Sequence, residues 1–171
     1  MKMTKLLFTG AFLFALGAVA SSAMAKDTIE PAKFVDEASA AGIAEIESSK
    51  LALQKSTSAE IKTFAQEMIN DHSAANKQLA DIAAKKGLKV ATEAELTNKA
   101  KAFILKQRDG ESFDEAYVKN QVKAHKDAIE LFNKAAVSPD VELASFAVAT
   151  LPKLEHHLHG AKTLAQVYEK K

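Results

Sequence analysis

The sequence predicts an all-α protein, a ferritin-like four-helix bundle with a long helix-containing crossover between the second and third long helices. Three observations carry that expectation. Alanine, lysine, leucine and glutamate dominate the chain and tryptophan is absent, a composition that favours helix. Apolar residues recur at helical spacing through most of residues 31–168, as helices with one buried face require. The connections between periodic stretches are short except for residues 88–111, which are numerous enough to travel back along a bundle.

The first 25 residues are expected to lie outside that fold. Lys2 and Lys5 precede an apolar run from Leu6 to Ala20, and Ala23-Met24-Ala25 closes the segment. This is the pattern of a secretory signal peptide cleaved before Lys26. The run is short for a bilayer span, which needs roughly 20 residues. Residues 26–171 then form one domain, with enough chain to bury a core.

Cysteine is absent. That excludes disulfides, thiolate catalysis, cysteine metal sites and a lipid anchor on cysteine. No second apolar run suits a membrane span, and no series of alternating strands suits a transmembrane barrel. Lysine and arginine number 23 against 22 acidic residues. Such a balance argues against nucleic acid or an anionic membrane as partner.

The first helix is expected over residues 31–54, with Pro31 in its opening turn. Phe34, Val35, Ala38, Gly42, Ile46, Ala52 and Leu53 fall in an arc of roughly 120°, and Glu45 lies inside that arc. The second helix is expected to open on a capping box, Thr57 to Glu60, and to end before Gly87. Its stripe is Ile61, Phe64, Ala65, Met68, Ile69, Leu79 and Ile82, with His72 near the middle and Asp71 at the edge. The crossover carries a short helix begun by a second box, Thr92 to Glu95, with Leu96, Ala100, Phe103 and Ile104 as its apolar face.

A third box, Ser112 to Glu115, opens the third long helix, whose inner face holds Phe113, Tyr117, Ala124, Ala128 and Phe132, with His125 and Gln121 among them. The fourth is expected to start at Ser138-Pro139 and to bury Leu143, Ala147, Leu154, Leu158 and Ala161, with His157 at the stripe's edge. Pro152 falls inside it on the outward face.

One ionisable residue per long helix is therefore directed inward: Glu45, His72, His125 and His157. Buried ionisable groups are costly unless hydrogen-bonded, paired or metal-bound. The first reading is a structural network that fixes bundle register, with Glu45 accepting from His72 or His157. The alternative is a single transition metal held by these four residues, with Asp71 as an extra ligand and Asn76 and Gln121 orienting imidazoles. A di-iron centre is not expected. Such bundles use Glu-x-x-His on two helices, whereas Ile69 precedes His72 and Leu154 precedes His157 at that spacing. On the surface, Glu155, His156 and His159 share helix faces and read first as solvated groups, second as a weak chelating set.

No G-x-S-x-G elbow, phosphate loop or dinucleotide fingerprint occurs, so no catalytic residue is assigned and standard enzymatic activity is not expected.

Several segments in order carry a resemblance: Phe34-Val35 with Glu45-Ile46; Phe64 to Met68 leading to Asp71-His72; Asn76 with Leu79; Gly110 with Phe113-Asp114 and Tyr117; His125 with Leu131-Phe132; Leu151-Pro152 with His157-Leu158. Over residues 30–168 the chain resembles an exported bacterial family with a ferritin-like domain of unknown function, number 4142, often labelled as outer-membrane proteins. The resemblance implies the fold and export, and leaves the activity open. The wider ferritin-like group implies metal or oxygen chemistry. An envelope protein partner is a further expectation.

Overall fold

The computed structural model describes residues 27–169. Among the described residues there are five helices: α1 (Pro31–Lys55), α2 (Ala59–Lys85), α3 (Leu96–Lys106), α4 (Gly110–Ala136) and α5 (Val141–Glu169). The expected signal peptide lies outside the described residues. Among those described, no helix is long and apolar enough to cross a membrane.

Side-chain pairs fix the directions of the four long helices. Phe34 stacks edge-on to Phe132 at 5.1 Å, and Ser49 hydrogen-bonds Tyr117 at 2.9 Å, so α1 and α4 run antiparallel. Lys85 meets Glu142 at one end of α2 and Phe64 lies against Gly160 towards the other, so α2 and α5 are antiparallel too. The α1–α2 and α4–α5 hairpins complete a square in which each neighbour is antiparallel and the diagonals are parallel. α2 therefore ends far from where α4 starts, and the connection must run the length of the bundle. This is the one-crossover arrangement expected from the sequence, and it excludes simple up-down-up-down connectivity.

The crossover is held at both ends by α1. Ala91 N donates to Ser39 Oγ at 2.8 Å. Lys55 Nζ donates to the carbonyls of Lys106 and Arg108 at 2.8 Å and to Asp109 at 2.7 Å. A cation at the last carbonyls of α3 also suits the negative end of its dipole.

Helix starts differ from the sequence expectations. α2 is capped by Ser58, whose Oγ accepts from Ile61 N at 3.2 Å and donates to Glu60, so the cap lies one residue after Thr57 and the expected box does not form. α3 begins at Leu96, after the Thr92 box has been left in a bend. α4 begins at Gly110, which places Ser112 inside the helix. α5 is capped by Asp140, whose Oδ1 accepts from Glu142 N and Leu143 N. Ser138 instead accepts from Asp140 N, stabilising the approach to that cap. The end of α2 follows expectation: Gly87 takes φ 66°, and Leu88 N bonds back to Ala83 O at 2.9 Å, the glycine-terminated closure that leaves few carbonyls unpaired.

The expected inner face of α3 is also corrected. Leu96, Phe103 and Ile104 are exposed, whereas Leu105 is buried. The face turned to the bundle is Asn98, Lys101, Ala102 and Leu105, which lines the groove beside α1 and α4. That set has the same helical spacing as the apolar one and is less hydrophobic, so periodicity alone selected the wrong side.

Two apolar clusters fill the bundle. Phe34, Leu79, Phe132, Leu143 and Phe146 occupy one end. Ile61, Phe64, Met68, Phe113 and Tyr117 occupy the other. The polar positions of interest lie between them.

Candidate functional site

The four sequence-selected residues do not form one cluster. His72 on α2, His125 on α4 and His157 on α5 converge, with ring centroids 5.3–5.6 Å apart. A ring nitrogen from each lies within 4.8 Å of the other two. Glu45 is outside this set. Its carboxylate accepts from Gln121 Nε2 at 2.6 Å, and the Gln121 amide also reaches Ser48 Oγ at 3.5 Å. Neither His72 nor His157 donates to Glu45 as the network reading expected; His157 bonds Asp71 instead.

Helix packing accounts for this division. Gln121 and His125 are one turn apart on α4, so they share a face and sit at successive levels. Gln121 opposes Glu45 across the α1–α4 seam. His125 reaches past that seam towards α2 and α5. α1 itself approaches α2 closely at Gly42, where a Cβ would collide with the Asn76 side chain. Asn76 Nδ2 donates to Ser39 O at 3.1 Å, so it fastens the α1–α2 hairpin and does not orient an imidazole.

Two of the three rings have a held tautomer. The Nδ1–H of His125 donates to Gln121 O at 3.0 Å, leaving Nε2 as a lone-pair donor. The Nε2–H of His157 donates to Asp71 Oδ2 at 2.9 Å, leaving Nδ1. His72 Nε2, His125 Nε2 and His157 Nδ1 are all buried without a hydrogen-bond partner. A carbonyl or carboxylate behind each ring is the usual means of aiming a metal-binding imidazole. Gln121 does orient His125 as expected, although through its backbone and not its amide.

Electrostatics keep these rings neutral. Burial pushes His72 down to about 3, and the neighbouring His125 and His157 add to that depression. Burial also lowers His125 and His157, against the opposing pull of Gln121 O and Asp71. Neutral imidazole is the ligating form. Burial acts to raise Asp71, but hydrogen bonds from Lys153 and His157 prevail and hold it below the usual carboxylate range. Glu45 behaves oppositely. Burial pushes it up to about 7, and the Gln121 hydrogen bond and Lys101 charge only partly offset this.

A cavity of about 490 Å³ adjoins the cluster and extends beneath α3. Gly42, Ala75, Ala124 and Ala128 keep its walls short, and all three histidines line it.

The family description "Domain of unknown function (DUF4142)" matches residues 16–164. The chain belongs to the DUF4142 family. A search of curated proteins gives no match. Among solved structures, one described as "CopM in the Cu(II)-bound form" is similar, with a TM-score of 0.70 and 16% identity. The alignment covers 82% of this chain and 99% of that one. At that identity the likeness speaks for the fold.

Sequence reasoning missed several participants. Glu67 on α2 lies with Asp71 and His157 in a second group of ligand atoms within 4.8 Å of one another. Its spacing of four residues before Asp71 places both on one helix face, which was the available signal. His156 is 71% exposed, as the solvated reading expected, and faces Glu67 with Nε2 to Oε1 3.4 Å. Lys153, one turn before His157, bonds Asp71 at 2.8 Å.

Proposed function

We propose that this is an exported metal-handling protein that holds one transition metal ion through His72, His125 and His157. The observation that carries this reading is the set of three buried, unpartnered imidazole nitrogens, one from each of three helices. In a purely structural network such atoms would bond one another or a neighbour. Each buried polar atom left without a partner costs about 1–3 kcal/mol, and a bound cation would satisfy all three.

The donor chemistry narrows the ion. Neutral imidazoles suit copper, zinc, iron and nickel more than magnesium or calcium. The Cu(II)-bound description of the similarly folded CopM makes copper the first ion to test. At a metal–nitrogen distance near 2.1 Å, tetrahedral ligand atoms sit about 3.4 Å apart. The rings are close enough for small rotations to reach that spacing. Asp71 supports the site from behind His157, and Glu45 serves the α1–α4 seam. The absence of Glu-x-x-His speaks for one ion and against a carboxylate-bridged pair.

The test is elemental analysis of the untagged protein purified from its native compartment. About one equivalent of metal, lost in His72→Leu while the helical fold persists, is expected. A metal-free protein that added copper, zinc, iron or manganese does not stabilise would overturn the reading. Export is tested on the same sample, whose first residue should be Lys26.

A further inference from the structure

We infer that Glu67, Asp71 and His156 form a loading port that captures a divalent cation at the surface and passes it beside His157 to the histidine centre. This rests on the metal-binding reading of His72, His125 and His157.

His157 is the wall between the two groups. Its Nδ1 is the buried, unpartnered atom. Its Nε2 faces the other way, 2.9 Å from Asp71 Oδ2 and 3.9 Å from Glu67 Oε1. His156 adds a second imidazole 3.4 Å from Glu67. Two carboxylates and the His156 imidazole make a mixed donor set for borderline divalent ions, with the Nε2–H of His157 holding Asp71 in place.

Exposure falls step by step along these donors. The side chain of His156 is 71% exposed, Glu67 40%, Asp71 22% and His157 1%. A cation can therefore exchange its water for protein ligands gradually, without crossing an apolar wall. The three imidazoles of the histidine centre are neutral and contribute no long-range attraction of their own. The port carries the carboxylates that do. Lys153 bonds Asp71 at 2.8 Å but is 54% exposed, so an arriving cation can displace it into solvent.

The experiment measures Cu(II) uptake by the full untagged chain in a stopped-flow spectrometer, comparing wild type with a Glu67→Gln/His156→Gln double variant. Both positions lie on the outside of α2 and α5, and neither belongs to the histidine centre. The expected result is uptake slowed about tenfold, with weaker salt dependence and an equilibrium affinity within about twofold of wild type. The metal-free melting temperature should not move, which separates loading from helix packing. Equal uptake rates would overturn the inference. So would a fall in affinity at an unchanged association rate, because both residues would then belong to the final centre. A wild-type protein that takes up no Cu(II) overturns the underlying metal-binding reading instead.

Discussion

Gln121 and His125 stand one turn apart on α4 and belong to buried polar clusters of opposite kinds. Around Gln121 the groups interlock. Its amide donates to Glu45 at 2.6 Å, and Ser49 and Tyr117 bond nearby across the same seam. Around His125 the backs of two rings, His125 and His157, are secured, while an inner nitrogen of each of the three rings has no hydrogen-bond partner. The first arrangement joins two helices. The second brings one imidazole from each of three helices to a shared point. Burial, polarity and an unpaired atom are common to both, since Gln121 Oε1 also lacks a hydrogen-bond partner; what sets the histidines apart is that three such rings converge from three helices.

The largest expected effect comes from removing one ring. His72→Leu should weaken metal binding by more than about a hundredfold, beyond what loss of a supporting residue usually costs. The metal-free protein should at the same time gain about 1 kcal/mol, because an unpaired nitrogen leaves the core. Calorimetric titration and thermal melts would show the two quantities moving in opposite directions. If both fall together, the ring belongs to a structural network and the contrast with Gln121 disappears.

Asp71→Asn tests the support behind His157. Asparagine can still accept from the ring but removes the negative charge. Metal affinity should drop about tenfold to a hundredfold, with the same three imidazoles still coordinating in a spectroscopic measurement. An unchanged affinity would show that Asp71 does not support the histidine centre from behind His157.

Glu45→Gln probes the other cluster. Burial pushes the folded Glu45 carboxyl up to about 7, above the ordinary carboxylate value of 4.5. Its protonated form therefore favours folding, fully so below pH 4.5, and that contribution is lost as pH rises to about 7. The glutamine variant should match wild type in acid and exceed it by about 3 kcal/mol at pH 8. Chemical denaturation across that range measures the gain, and metal affinity should stay constant. The histidines give the opposite slope. His72 is depressed to about 3 from 6.5, so its contribution is full above pH 6.5 and declines as pH falls towards 3.

The smallest effect is expected at Gly42, where α1 and α2 meet. Gly42→Ala drives a methyl group into Asn76 and should break its bond to Ser39 O. A loss of about 1 kcal/mol in thermal or chemical unfolding would match one displaced hydrogen bond. A stability equal to wild type would mean that Asn76 moves aside at no cost.

The long helices were legible because each has one broad apolar stripe: Phe34 and Val35, Phe64 and Met68, Phe113 and Tyr117, Leu154 and Ala161 all pack inside. The length of the crossover gave its path. Its short helix was misread because Leu96, Phe103 and Ile104 form a convincing stripe that faces solvent, and a helical wheel carries no information about which side meets a partner. Within the site, periodicity selected the three histidines but also Glu45, since all four sit on inward faces. Their separation depends on helix rotation and level, which place Glu45 opposite Gln121 and His125 beside His72 and His157. Glu67 was missed because it is a half-exposed acid on a helix rich in charge, and its importance comes from α5.

The two anchors that α1 places on the crossover have a consequence for how the chain assembles. Ser39 holds its beginning through Ala91, and Lys55 holds its end through Lys106, Arg108 and Asp109. A chain of two helical hairpins joined by a long strap has two ways to satisfy the same contacts. The α4–α5 hairpin can fold back onto its own α1–α2 hairpin, or it can dock on that of another molecule. Fastening the strap at both ends raises the local concentration of the second hairpin beside the first. Two small hydrogen-bonding groups on α1 thereby favour closure within one chain over domain exchange between chains.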